Sequence, residues 1–183
     1  MVFSEWYNVE RIAEVAFFDD NTRSVWQAAT GGANVPALNE LLQPFKAALG
    51  NAVVDGNVSL DKAGMAWSIS SGSPLAKWPA GGWVHKGRVS VRKPGAMQGS
   101  LANGEYALLG VAHAGNGTLA VAADASCLDG DRPQCLWLAD ELLSLASGRL
   151  GGDWWLSHKD ALLLEDFAHP MAAMPERPPV PSR

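Results

Sequence analysis

The sequence predicts a mixed α+β domain of two layers, with N-terminal helices and one long C-terminal helix packed on a mainly antiparallel sheet of about five strands. Changes of hydrophobic period along the chain carry this reading. Apolar residues recur at three- and four-residue spacings near the N-terminus, alternate singly through the middle, and return to helical spacing between Pro133 and Ser147.

From Ser4 to Phe18, the residues Trp6, Val9, Ala13, Ala16 and Phe17 fall on one helical face, with Glu5, Glu10, Arg11 and Glu14 largely opposite. The run Asp19-Asp20-Asn21-Thr22 supplies stop and cap chemistry, so a short helix through Val25, Trp26 and Ala29 is expected before Thr30-Gly31-Gly32 breaks it. Asn34 suits the N-cap of the next helix, and Pro36 suits its first turn, where a missing N–H costs no helical bond. Leu38, Leu41, Leu42, Phe45 and Leu49 form its apolar stripe. Pro44 should kink or split that helix, and Gly50 should close it.

The period then shortens to two. Met65, Trp67 and Ile69 alternate with Ala66, Ser68 and Ser70, the pattern of a half-buried strand. A strand from Val53 to Leu60 precedes it, with Asp55-Gly56 or Asp61-Lys62-Ala63-Gly64 as the turn. Trp83 to Arg92 is a further strand, stopped by Lys93-Pro94-Gly95. Tyr106 to His113 and Thr118 to Asp124 flank Ala114-Gly115-Asn116-Gly117, the strongest hairpin signal in the chain. Connections this short make the pairing antiparallel.

A helix from Pro133 to Ser147 follows, capped by Asp131, with Leu136, Ala139, Leu142, Leu143 and Ala146 facing inward and Gly148, Gly151 and Gly152 ending it. Trp154-Trp155-Leu156 and Ala161 to Leu164 read as short strands. From His169 onward, Pro170, Pro175, Pro178, Pro179 and Pro181 oppose regular structure. Residues 1–168 are therefore expected to form one domain and residues 169–183 an extended tail.

Composition narrows the function classes. The chain has 183 residues, 48% of them hydrophobic and 18% charged, which fits one domain with a sizeable core. Its formal net charge of -5 disfavours nucleic acid as a partner, because phosphate binding needs a basic face. No apolar run is long enough for a membrane span, and Met1-Val2-Phe3-Ser4-Glu5-Trp6 lacks the features of a signal peptide, so a soluble cytoplasmic protein is expected. The eight tryptophans either fill a core otherwise rich in Ala and Gly or form an aromatic contact surface.

On the strand from Trp83 to Arg92, Trp83, Val89 and Val91 share one face, while Lys86, Arg88 and Arg92 form a cationic strip on the other. That strip is either a solvated sheet face or a docking strip for an acidic partner; with Trp78 and Trp83 it makes the candidate binding surface. Cys127 and Cys135 have neither zinc nor redox spacing and read as buried thiols, or as a disulfide if the compartment is oxidising. Asp124 and Asp129-Gly130-Asp131 lack the pattern of a calcium loop, and no metal or cofactor is expected.

A triad of His113, Asp124 and Cys127 fails on distance. His113 sits beside the hairpin turn and Asp124 at the far end, roughly 20 Å away at ~3.3 Å per strand residue. His85, His158 and His169 are scattered, and Ser70-Ser71-Gly72-Ser73 is not a nucleophile elbow. The function expected on these grounds is a non-catalytic protein-binding accessory of bacterial type, resembling an immunity protein or a secretion chaperone. The alternative is an enzyme, a hydrolase or transferase whose acid-base residues assemble only in the fold. A homo-oligomer packed through Trp78, Trp83 or the Trp154-Trp155 pair is a third, structural reading.

Overall fold

The computed structural model describes residues 1–28, 30, 32–60, 65–92, 101–128 and 136–147. In chain order the elements begin with β1 (Val2–Phe3), α1 (Val9–Ala13), the strands β2 (Ala16–Asp19) and β3 (Ser24–Gln27), and α2 (Val35–Leu42). A 3-10 turn (Gln43–Phe45), β4 (Ala48–Leu49), β5 (Val53–Leu60), β6 (Met65–Gly72) and β7 (Leu75–Lys77) follow. Then come β8 (Trp83–Arg92), β9 (Leu101–Ala114), β10 (Gly117–Ala122), a 3-10 turn (Ser126–Leu128) and α3 (Leu136–Ala146). The fold is mixed α+β and dominated by strands.

Among the described residues, six strands form the main sheet in the order β1-β10-β9-β8-β5-β6. Among these six, the short β1 runs parallel to its neighbour and the other pairings are antiparallel. The β9–β10 hairpin turns at Gly115-Asn116, where Gly115 takes a φ of 60°, which glycine reaches without steric cost. Opposite His85 and Lys86, β9 carries one extra residue, Leu108, between Ala107 and Leu109. This bulge lets Leu108 and Leu109 enter the same core, which strict alternation would forbid.

The expected two-layer arrangement gives way to helices on both faces of β10. Ala120 and Ala122 pack in one core with Leu138 and Leu142 of α3. Leu119 and Val121 pack in a second core with Ile12 of α1 and with Val35 and Leu42 of α2. The physical reason lies in the strand itself. Residues Leu119 to Ala123 are apolar without a break, so both faces of β10 need cover. Trp67 anchors the first core and Trp78 the second. Gly110 makes room for the latter, since a Cβ there would lie 2.7 Å from the Trp78 ring.

The N-terminal reading needs correction. Only Val9–Ala13 is helical in the segment expected to be a helix from Ser4 to Phe18, with Asn8 accepting from the Arg11 N–H at 2.9 Å as its cap. Residues 16–19 and 24–27 pair as a hairpin, so the short helix expected through Val25 and Trp26 is a strand. Phe17, Phe18, Val25 and Trp26 are aromatic or β-branched, and Asp19-Asp20-Asn21-Thr22 is turn chemistry; strand preference outweighs an accidental helical spacing.

Asn34 stands at the N-cap of α2 as expected but makes no side-chain cap bond; its side chain accepts instead from the Glu5 N–H at 3.0 Å. The helix ends at Leu42, Pro44 lies in the 3-10 turn, and the reversal comes at Lys46 with φ 58° instead of at Gly50. Asn39 then clamps Leu49, donating to its carbonyl at 3.1 Å and accepting from its N–H at 2.7 Å. In α3 the buried residues are Leu138 and Leu142, whereas Leu136 and Leu143 are exposed, a shift of phase from the expected face. The 61–64 turn, the Asp131 cap, Cys135, the runs at 154–156 and 161–164 and the tail at 169–183 lie outside the described residues.

Candidate functional site

Two carboxylates, Asp55 and Asp124, meet the backbone of β6 near its C-terminal end. Between the pairs Val54–Gly72 and Gly56–Ile69, β6 carries an extra residue. Ser71 takes a φ of 62° there, a conformation that costs a non-glycine residue about 1 kcal/mol or more and persists only where neighbours enforce it. Two carboxylates do so. The Ser71 N–H donates to Asp55 at 2.9 Å, and the Ser70 N–H donates to Asp124 at 2.8 Å.

Asp55 also receives the Arg92 guanidinium as a fork, with Nε 2.7 Å from Oδ2 and Nη2 3.0 Å from Oδ1. Asp124 is only 1% exposed. It accepts in addition from the Ser126 N–H and the Ser126 hydroxyl, each at 2.8 Å. A buried carboxylate is tolerated only when its lone pairs are filled in this way.

Beside this junction lies an open cleft of about 480 Å3, lined by Trp6, Arg11, Glu14 and Val15 on the N-terminal side and by Val53, Ser71 and Arg92 on the sheet side. Arg11 pairs with Glu14 at 3.3 Å. The cleft therefore joins an apolar floor to guanidinium–carboxylate pairs, an arrangement suited to binding and orienting a polar group. Among the described residues, no group of three or more His, Cys, Asp or Glu is placed to hold a metal ion.

The Arg92–Asp55 pair gives a modest test. Arg92 is half exposed, so Arg92→Gln is expected to lower stability by no more than about 1 kcal/mol in urea denaturation. A loss of about 3 kcal/mol would mean that the pair behaves as a buried one.

The residues proposed from sequence as a binding surface do not come together. Trp78 is buried in the second core. Trp83 packs against the first and meets His113 edge-on, with ring centroids 5.9 Å apart at 67°. Lys86, Arg88 and Arg92 do share the alternate face of β8, but Arg88 is the exposed one of the first two, and Arg92 is engaged by Asp55. His113 pairs with Thr118 beside the hairpin turn, while Asp124 lies beyond Ala122 at the opposite end. The Asp55 and Asp124 clamps escaped sequence reasoning. Asp55 read as a turn residue, although it follows two valines in a strand that pairs antiparallel with the basic end of β8.

Comparison with known proteins gives the family context. Residues 1–160 match the family described as "MBTPS1, fourth GATase-like domain". The chain is similar to the subtilisin-like protease SBT6.1 of Arabidopsis thaliana, with 37% identity over 175 residues, 92% of this chain and 16% of that protein. It is also similar to the human membrane-bound transcription factor site-1 protease, with 33% identity over 155 residues, 80% of this chain and 14% of that protein. The chain thus spans about a sixth of the length of these relatives. The expectation of a non-catalytic protein-binding accessory of bacterial type, resembling an immunity protein or a secretion chaperone, is overturned, because the family and the relatives are those of proteases, from a plant and a mammal. The hydrolase alternative lies nearer. No helix among the described residues is long and apolar enough to cross a membrane.

Proposed function

Because this chain belongs to the family of the fourth GATase-like domain of MBTPS1, we propose that it serves subtilisin-like proteolysis as one domain of a larger protease polypeptide. The observation that carries this reading is the extent of the likeness, which runs through nearly the whole chain. The substrate class that comes with it is the one in the human relative's name, a membrane-bound transcription factor. Serine-protease chemistry needs a hydroxyl, an imidazole and a carboxylate in line. Here Ser126 and Asp124 are joined in a backbone clamp, so this pair holds the β6 junction and is not the hydroxyl and carboxylate of such a line.

An exchange experiment tests it. The matched segment of the Arabidopsis protease is replaced by residues 1–160 of this chain, and cleavage of a membrane-bound substrate is followed by immunoblot. Cleavage within about threefold of the parent protein is expected. An exchanged protease that is produced and folded but cleaves nothing would sink the reading.

A further inference from the structure

The β2–β3 hairpin stands apart from both cores. Its four strand pairs join only each other. Phe17 lies opposite Trp26 on one face, and Phe18 opposite Val25 on the other. All are exposed, Phe17 and Phe18 at 59%, Val25 at 68% and Trp26 at 42%. A two-stranded ribbon bare on both faces is marginal in water, yet this one is held in shape. The Trp26 Nε1–H donates to the Thr22 hydroxyl at 3.0 Å, and that hydroxyl donates to Asp19 at 2.7 Å. The Asn21 N–H also donates to Asp19, at 3.1 Å. These bonds from Thr22 and Asn21 hold the Asp19 carboxyl below its usual range, so the tip carries fixed negative charge.

We propose that this hairpin is a docking element that inserts into an apolar groove with a basic end, formed by another domain of the same protease polypeptide. The inference rests on the reading above and names the partner it requires. Bare side chains on both faces call for an occupant that clasps the ribbon, not for a flat surface. Asp19 and Asp20 against the single cation of Arg23 leave the tip acidic, which selects a groove with cationic residues at its end.

Area decides between a tethered and a free partner. The four side chains offer on the order of 400 Å2, about half of the ~800 Å2 per partner of a stable free interface. A second copy of the chain would be held too weakly by this patch. A domain in the same polypeptide is present at an effective concentration of about millimolar, and more than four-fifths of the Arabidopsis relative lies outside the matched segment. The preformed turn reduces the ordering cost of docking, and Trp and Phe anchors suit a small contact.

Amide hydrogen exchange of residues 16–27 tests the proposal, comparing the isolated 183-residue chain with the exchanged Arabidopsis protease. The hairpin amides are expected to exchange about tenfold or more slowly in the exchanged protease. The double substitution Phe17→Ser and Trp26→Ser should cancel that protection and leave the melting temperature of the isolated chain unchanged. Equal exchange in both proteins overturns the proposal. So does protection of the isolated chain that grows with its concentration, which would identify a second copy as the occupant, and so does protection that survives the double substitution. Cleavage without hairpin protection removes this inference alone; hairpin protection without cleavage removes only the functional reading.

Discussion

Trp67→Ala is expected to lower the unfolding free energy by about 3–5 kcal/mol, measured by urea denaturation followed by circular dichroism. Trp67 is fully buried at the centre of β6 and packs in the core that holds Val58, Val89, Leu108 and Leu138. That core draws on five strands and on α3, so its neighbours cannot collapse into the space without disturbing the sheet. The indole N–H has no hydrogen-bond acceptor among the described residues. Trp67→Phe keeps most of the ring volume and removes that desolvated donor, so its expected loss is only about 1 kcal/mol. A cost below about 1 kcal/mol for Trp67→Ala would show that the ring does not organise the core.

The strands were legible wherever pattern and punctuation agreed. The strand from Trp83 to Arg92 has the observed bounds, and the Gly115-Asn116 hairpin needed only a turn flanked by apolar runs. Met65, Trp67 and Ile69 announced a half-buried strand because their alternation is strict. The N-terminal hairpin was illegible for a physical reason. Phe17 and Phe18 expose their rings, so no burial pattern marks a strand, and the spacing of Trp6, Val9 and Ala13 extends by accident into a longer helix. The layer arrangement was hidden in Leu119 to Ala123, where an unbroken apolar run fits a strand covered on both faces but does not say by what.

The candidate site was less legible still. Arg92 and Asp55 are 37 positions apart and meet only through the pairing of β5 with β8. Ser70 and Asp124 are 54 positions apart and meet only because a bulge turns a backbone N–H out of the ladder. Neither contact has a local sequence signature. The cationic strip was legible as a set of charges on one strand face, but a sequence does not record which charge already has a partner.

Asp124→Ala is expected to be about as damaging as the loss of Trp67, at about 3–5 kcal/mol, through a different term. The change opens little space. It strands the N–H groups of Ser70 and Ser126 in a part-buried setting, each at a cost of about 1–3 kcal/mol unless water enters, and leaves the Ser126 hydroxyl its long bond to the Ser70 carbonyl at 3.5 Å. Asp124→Asn keeps one acceptor oxygen but turns an NH2 group toward a donor, so a loss of about 2 kcal/mol is expected. Ser126→Ala removes in advance the hydroxyl that donates to Asp124, so its combination with Asp124→Asn should cost less than the two single changes together. Strict additivity would mean that Asp124 and Ser126 do not act as a unit. Hydrogen exchange at the Ser70 N–H supplies the local reading. It should accelerate in Asp124→Ala but not in Arg92→Gln, because Ser70 is held from the 3-10 turn side and Ser71 from the β5 side. Equal acceleration in both variants would instead make the two clamps one cooperative unit, with Ser71 as the hinge between them.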